Sequence, residues 1–121
     1  MSIKSHADLT VWQKAMDLVV EVYAVSRQLP KDELYGLTSQ LRRAAVSIPA
    51  NIAEGKARSS RRDYCHFLHI AKGSLAEVDT LITVALRLGF VDAGTSARLK
   101  ELVDEVGRML SGLLAKLQQE A

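Results

Sequence analysis

Apolar side chains recur at spacings of three and four residues through four long segments of this chain, and that periodicity limits the possible folds more than any other feature. Such spacing places side chains on one face of an α-helix. Only 2 prolines and 7 glycines interrupt the 121 residues, so the elements must be few and long. The sequence therefore predicts an all-α fold with helices at about 8–28, 37–57, 60–88 and 95–118.

Polar side chains predict where several of these helices begin. Asp8 or Thr10 is expected to cap the first helix, Ser60 the third, and Thr95 or Ser96 the fourth. The links between helices are short, and short links make consecutive helices antiparallel neighbours. We therefore predict a single domain over residues 1–121, an antiparallel up-down-up-down four-helix bundle.

The first two helices differ in their apolar patterns. The predicted core stripe of the first helix is Leu9, Trp12, Met16, Val19, Val22, Tyr23 and Leu29. The second helix has a core row, which is Leu37, Leu41, Ala45, Ile48 and Ile52. Its second row, about 100° around the cylinder, is Val46, Ala50, Ala53 and Ala57. A second row predicts packing against another helix, within or between subunits.

Two residues predict local features inside helices. Pro49 lies within the second helix and lacks the N–H that a helix needs, so we expect a bend there. The apolar period continues through Ile52, so the helix is not expected to end. Gly73 lies in the middle of the third helix, where it predicts the close approach of another backbone.

Positive charge is concentrated between residues 42 and 62. This stretch holds six basic residues and one acid, Glu54, and therefore carries a net charge of +5, although the whole chain carries only +2. The six are Arg42, Arg43, Lys56, Arg58, Arg61 and Arg62. Lysine and arginine contact nucleic-acid phosphates with little base specificity. They are the predicted nucleic-acid-binding residues, and the alternative is a solvated face with local ion pairs.

The six basic residues are expected to form two groups. Three arginines at the junction of the second and third helices are expected to reach out freely, and these are Arg58, Arg61 and Arg62. Arg42 and Arg43 flank the core row and are expected to be held by acids such as Glu54 or Glu77. Substitutions in the first group should therefore affect ligand binding more than stability.

No constellation of residues predicts catalysis. His66 and His69 lie three positions apart beside Cys65, but a zinc site needs three or four ligands. We interpret them as two surface histidines and an inert thiol. The sequence contains no nucleophile elbow, phosphate-binding glycine loop or paired-carboxylate site. We therefore expect no enzymatic activity, no cofactor and no bound metal.

Cysteine usage and hydropathy predict the compartment. A single cysteine cannot form an internal disulfide, which indicates a reducing environment. The first residues contain no apolar run typical of a signal peptide, and no segment is long enough to cross a bilayer. We expect a cytoplasmic protein with no membrane partner.

The segment from Gln40 to Gly55, which contains RRAAVSIPANIAEG, carries a resemblance to a known family. The chain resembles the four-helix-bundle proteins encoded by intervening sequences within bacterial 23S ribosomal RNA genes, a broad family that includes accessory proteins of diversity-generating retroelements. The likeness spans residues 8 to 90 and includes LTVWQKA in the first helix, YGL at the first turn and GSLAE in the third helix. The fourth helix resembles the family only in the general character of its sequence.

This resemblance implies an oligomer and a class of ligand. Family members resemble homopentamers arranged as a ring around a central channel, and the retroelement relatives bind nucleic acid and a reverse transcriptase through basic surfaces. We therefore expect a ring-like homo-oligomer, without enzymatic activity, that associates with RNA or another nucleic acid through the six basic residues. The alternative is a scaffold for a protein partner with no direct nucleic-acid role.

Overall fold

Four long helices make up most of the computed structural model, which describes residues 5–119. They are α1 (Thr10–Ser26), α2 (Ser39–Lys56), α3 (Arg61–Arg87) and α4 (Ala93–Gln119). No strand occurs among the described residues. Every helix begins and ends within two residues of its predicted bounds, so the all-α prediction is confirmed.

The apolar faces of the four helices meet in one core. α1 packs on α2 and α4, and α3 packs on α2 and α4. The largest fully buried side chains include Leu18, Leu41, Ile48, Ile52, Leu68, Ile82 and Leu110. Burial of each such side chain contributes about 1.5–3 kcal/mol. Every member of the predicted core row of α2 is buried, which confirms that row.

The predicted core stripe of α1 is right only in part, because Leu9, Val22 and Leu29 are buried as predicted and the other members are not. The buried apolar residues of α1 are Val11, Ala15, Leu18, Val22 and Val25, whereas Trp12, Met16 and Val19 are only half-buried. α1 carries apolar side chains around much of its circumference, so periodicity alone does not select one face. Packing against both α2 and α4 selects the face that contains the small residue Ala15, which is completely buried.

Side-chain caps agree with the sequence at α3 but not at α4. The hydroxyl of Ser60 accepts a hydrogen bond from the N–H of Asp63 at 3.1 Å, as predicted. At α4 the cap is Asp92, whose carboxylate accepts a hydrogen bond from the N–H of Thr95 at 2.7 Å. Thr95 and Ser96 are buried within the first turn instead. Aspartate caps a helix as well as serine or threonine does, so N-cap propensity alone does not distinguish Asp92 from Thr95 or Ser96.

Neither predicted cap acts at α1. The residue before the helix is Leu9, and it makes no side-chain capping hydrogen bond. Asp8 belongs to a preceding 3-10 turn, His6–Asp8, where its carboxylate accepts a hydrogen bond from the N–H of Ser5 at 3.3 Å. The acid therefore closes its own turn and does not cap the helix.

Pro49 lies within α2, which continues through it from Ser39 to Lys56 as predicted. The side-chain amide of Asn51 donates to the carbonyl oxygen of Ser47 at 2.8 Å and to its hydroxyl at 2.9 Å. The Ser47 hydroxyl also bonds the Ser74 hydroxyl of α3 at 2.8 Å. A polar cluster therefore joins α2 to α3 beside the proline.

The second apolar row of α2 lies on the surface of the chain. Val46, Ala50 and Ala57 are exposed, and Ala53 is half-buried. None of the four long helices in the described residues covers this row, although His6 of the turn before α1 shares a shallow pocket with Ala50, Ala53 and Ala57. Packing of the row between subunits stays a prediction.

Gly73 is not a point of close approach, contrary to prediction. A Cβ atom added there would meet no atom within 4 Å, whereas one added at Gly55 would lie 3.0 Å from the Tyr64 carbonyl oxygen and from the Phe67 Cβ. The close approach is therefore between the end of α2 and the start of α3. It sits next to the junction that carries four of the six basic residues.

Candidate nucleic-acid interface

The structure divides the six basic residues between the two ends of α2. Arg42 and Arg43 lie in the first turns of α2, and Lys56 is its last residue. Lys56 lies 14 positions after Arg42, which at 1.5 Å per residue is about 21 Å along the helix. The six therefore do not form one continuous patch within a subunit.

Arg42 ties α1 to α2. Its Nε donates to the Ser26 hydroxyl at 2.8 Å, and its guanidinium lies 4.9 Å from the centroid of the Tyr23 ring. The Ser26 hydroxyl in turn donates to the Tyr23 carbonyl at 2.9 Å. Arg42 is thus held as expected, but by a hydroxyl and an aromatic ring and not by an acid.

Arg43 is exposed at the edge of a polar groove between α2 and α3. The groove has a volume of about 280 Å³ and is also lined by Gln40, Ser47, Ser74 and Glu77. Arg43 and Glu77 face the same groove without forming an ion pair. The expected pairing of Arg43 with an acid is not found among residues 5–119, and the Arg43 side chain is exposed.

Lys56 and Arg58 lie over aromatic rings of α3. The Lys56 Nζ is 6.0 Å from the centroid of the Tyr64 ring, and the Arg58 guanidinium is 4.7 Å from that of Phe67. Arg58 also forms an ion pair with Glu54 at 2.8 Å. Burial, and to a lesser extent the neighbouring Cys65, raises the pKa of Tyr64 above its ordinary value. Arg58 is therefore less free than expected, because its charge is already partnered.

Arg61 and Arg62 are the first two residues of α3, directly after the Ser60 cap. Both are exposed and flank a shallow groove of about 380 Å³ that Cys65 and Gln118 also line. Neither forms an ion pair with any residue between 5 and 119. Cations at a helix N-terminus meet the positive end of the helix dipole, so this placement does not serve helix stability. It does concentrate positive potential at one exposed edge.

The two histidines of α3 do not converge on a shared site. His66 and His69 are exposed, and the His66 ring packs edge-on against Phe67 with centroids 5.4 Å apart. Cys65 is a half-buried free thiol. Within the described part of the chain, no group of three or more His, Cys, Asp or Glu residues is arranged to hold a metal ion.

Two surface features were missed from the sequence. One is a groove of about 440 Å³ between α1 and α4, whose floor includes Val20, an apolar residue that is 64% exposed. The other is the turn Leu34–Thr38, which leaves Tyr35 94% exposed. The available signal for the groove was Val20, an apolar residue of α1 that lies outside the predicted core stripe.

One solved structure shares this fold across nearly its whole length. It is the crystal structure of a protein with unknown function from the S23 ribosomal protein family of Bacteroides thetaiotaomicron VPI-5482. The two chains superpose with a TM-score of 0.81 at 21% sequence identity, over 87% of this chain and 98% of that one. At this identity the likeness establishes the fold alone. The comparison with curated proteins finds no match.

The family is established by the sequence comparison. The family model for the 23S rRNA-intervening sequence protein matches residues 7–112. This range contains α1 to α3 and most of α4, including the segment from Gln40 to Gly55 on which the resemblance was based. The chain belongs to the 23S rRNA-intervening sequence protein family.

Proposed function

We propose that the four helices form an antiparallel up-down-up-down bundle. Contacts between α3 and α4 support this arrangement, because residues near the start of one helix contact residues near the end of the other. Lys100 near the start of α4 contacts Asp79 in the second half of α3, and Gln118 near the end of α4 shares a groove with Cys65 near the start of α3. The contacts between α2 and α3 also pair the start of one helix with the end of the other, and so do the contacts between α1 and α4.

We propose that these bundles assemble into a ring-like homo-oligomer. The uncovered second row of α2 supports assembly, since Val46 is 42% exposed and the neighbouring Ala50 offers a small side chain for close packing. Exposed apolar residues that share one helix face are typical of protein interfaces. The expected number of five subunits comes from the family resemblance.

We propose that the oligomer associates with RNA or another nucleic acid, without enzymatic activity, through its basic residues. The observation that carries this proposal is the exposed pair Arg61 and Arg62, which has no ion-pair partner within residues 5–119. Arg43, which is exposed and has no ion-pair partner among the described residues, adds a second contact point on each subunit. Repetition of a modest site around a ring raises the effective concentration of every further contact.

Salt dependence of RNA binding tests the role of the arginine pair. The double variant Arg61→Ala/Arg62→Ala removes two exposed charges, so its melting temperature should stay near that of the wild type. Its slope of log affinity against log salt should fall by up to about 1.8 per subunit on duplex RNA, at roughly 0.9 per lost phosphate contact. Fluorescence anisotropy with a labelled RNA hairpin between about 50 and 200 mM salt measures both affinity and slope.

A matched control removes the same charge from another surface. Arg87 and Arg108 are both exposed and lie away from the α2–α3 junction, so Arg87→Ala/Arg108→Ala should leave the slope closer to the wild-type value. Equal slopes for the two double variants would show only a general effect of net charge. Binding by Arg61→Ala/Arg62→Ala as tight as that of the wild type at every salt concentration would reject the arginine pair as a nucleic-acid site and favour the protein-scaffold alternative.

A further inference from the structure

Arg58 belongs to a short stack of side chains at the junction of α2 and α3. Its guanidinium carbon lies 4.7 Å from the centroid of the Phe67 ring, and the His66 ring packs edge-on against the same ring. A Cβ atom added at Gly55 would lie only 3.0 Å from the Phe67 Cβ, so the end of α2 also packs closely on this residue. Residues of both helices therefore surround Phe67, whose ring supports the guanidinium of Arg58.

The charge of Arg58 is already offset by a neighbouring acid. Its Nη2 donates to a carboxylate oxygen of Glu54 at 2.8 Å, and the two residues lie four positions apart. A phosphate that approached this guanidinium would also meet the Glu54 carboxylate, and like charges repel each other. Arg58 is therefore a poor contact for a phosphate, unlike Arg61 and Arg62, which have no ion-pair partner among residues 5–119.

Part of the Arg58 side chain nevertheless remains open to solvent. The side chain is 45% exposed, although it contacts both Phe67 and Glu54. These two contacts orient the guanidinium, so less conformational freedom is lost when a ligand binds to it. Nucleobases stack on arginine guanidinium planes as they do on aromatic rings, and stacking does not require a net charge on the base. The arrangement therefore fits a flat, neutral ring better than a phosphate.

We infer that Arg58, supported by Phe67 and oriented by Glu54, binds an unpaired nucleobase by stacking. This inference rests on the proposed association with nucleic acid and names the part of the ligand that Arg58 contacts. Arg61 and Arg62 follow Arg58 by three and four positions. A single strand that crosses the start of α3 can therefore place a base on Arg58 while its phosphates meet these two arginines. Bases in a duplex are already stacked on one another, so the site favours unpaired nucleotides.

Three RNA probes test whether the protein binds a base at this junction. They are an oligouridine of about 12 nucleotides, an oligomer of the same length made of abasic nucleotides, and a blunt-ended duplex. The first two have the same number of phosphates and differ only in their bases. In fluorescence anisotropy at one salt concentration, the wild type should bind the oligouridine about fivefold or more tightly than the abasic oligomer, because stacking contributes only to the first.

Variants that preserve charge show whether Arg58 carries this preference. Arg58→Lys keeps the positive charge but removes the planar guanidinium. It should weaken binding of the oligouridine by about fivefold or more and leave binding of the abasic oligomer and the duplex nearly unchanged. Phe67→Leu removes the supporting ring and should have the same selective effect, while its melting temperature shows that it is folded. The matched control is Arg87→Lys, at the exposed last residue of α3, and it should change none of the three affinities.

Oligodeoxyuridine distinguishes the two sources of an unpaired base. If Arg58→Lys weakens binding of oligouridine and oligodeoxyuridine equally, the site accepts a base from RNA or from DNA. If Arg58→Lys weakens binding of the oligouridine alone, the site is specific for RNA.

Three results would overturn the stacking inference. One is an equal loss of affinity for the oligouridine and the abasic oligomer in Arg58→Lys, because Arg58 would then contact the backbone. The others are unchanged affinities in that variant and equal binding of the two probes by the wild type. In each case, weaker binding of all probes by Arg61→Ala/Arg62→Ala would leave the proposed function intact. A wild-type protein that binds no probe at about 50 mM salt would reject both.

Discussion

Gly55 decides how closely the end of α2 approaches the start of α3. A Cβ atom there would lie 3.0 Å from the Tyr64 carbonyl oxygen, a backbone atom that cannot move aside as a flexible side chain can. The same approach brings Lys56 over the Tyr64 ring and Arg58 over the Phe67 ring. The absence of one methyl group therefore positions much of the basic junction.

Substitution of Gly55 and substitution of Gly73 should have opposite effects. Gly55→Ala should destabilise the protein by about 1–3 kcal/mol, because overpacking forces a shift of the backbone. Gly73→Ala meets no atom within 4 Å and should stabilise the protein by up to about 1 kcal/mol through helix propensity. Urea denaturation followed by circular dichroism measures both, and equal shifts would contradict the close approach at Gly55.

At the scale of the element, Asp92 determines where α4 begins. Its carboxylate accepts a hydrogen bond from the Thr95 N–H, and this bond, followed by a weaker attraction to Arg98, lowers the pKa of Asp92 below its ordinary value. An acid whose folded-state pKa is lowered stabilises the fold above its unfolded pKa, and that stability is lost as the pH falls through the folded value. The cap therefore links the stability of α4 to acidic pH.

Two variants of Asp92 separate the cap from its charge. Asp92→Ala should lower the melting temperature at neutral pH, because the Thr95 N–H loses its acceptor. Asp92→Asn keeps an acceptor oxygen but cannot titrate, so its melting temperature should fall less than that of the wild type between neutral pH and about pH 3. All other carboxylates are the same in the wild type and in Asp92→Asn. Parallel curves of melting temperature against pH for the two proteins would therefore show that Asp92 does not link stability to pH.

At the scale of the whole molecule, one core holds all four helices together. Leu41 of α2 and Leu110 of α4 are 1% and 0% exposed, respectively. If α2 or α4 detached, the apolar faces of the remaining helices would be exposed to solvent. The described helices also include none that is long and apolar enough to span a membrane.

A charge placed in this core should unfold the protein. Leu41→Asp or Leu110→Asp buries an unpaired carboxylate at a cost of several kcal/mol, against a total stability of about 5–15 kcal/mol. Each variant should therefore either be unfolded already at 25 °C, with no cooperative thermal transition, or melt at a much lower midpoint than the wild type. Leu88→Asp, at an exposed position, should melt close to the wild type. A wild-type transition in either core variant would place that leucine outside the core.

Features that depend on near neighbours along the chain could be predicted from the amino-acid sequence. The four helices, the core row from Leu37 to Ile52, the Ser60 cap and the continuity of α2 through Pro49 were all predicted and are observed. Each follows from spacings of three or four residues, which lie within the reach of local hydrogen bonds and one helix face. The family was likewise evident from one unbroken segment, Gln40 to Gly55.

Features that depend on residues far apart in the chain became visible once the helices were packed together. Arg42 is anchored by Ser26, 16 positions away, and Gly55 meets Phe67 of the next helix, so neither contact is visible in a local pattern. The buried face of α1 was predicted only in part for the same reason, because it is selected by simultaneous contact with α2 and α4. A helix with apolar residues on several sides has no intrinsic inner face, and its neighbours assign one when the core closes.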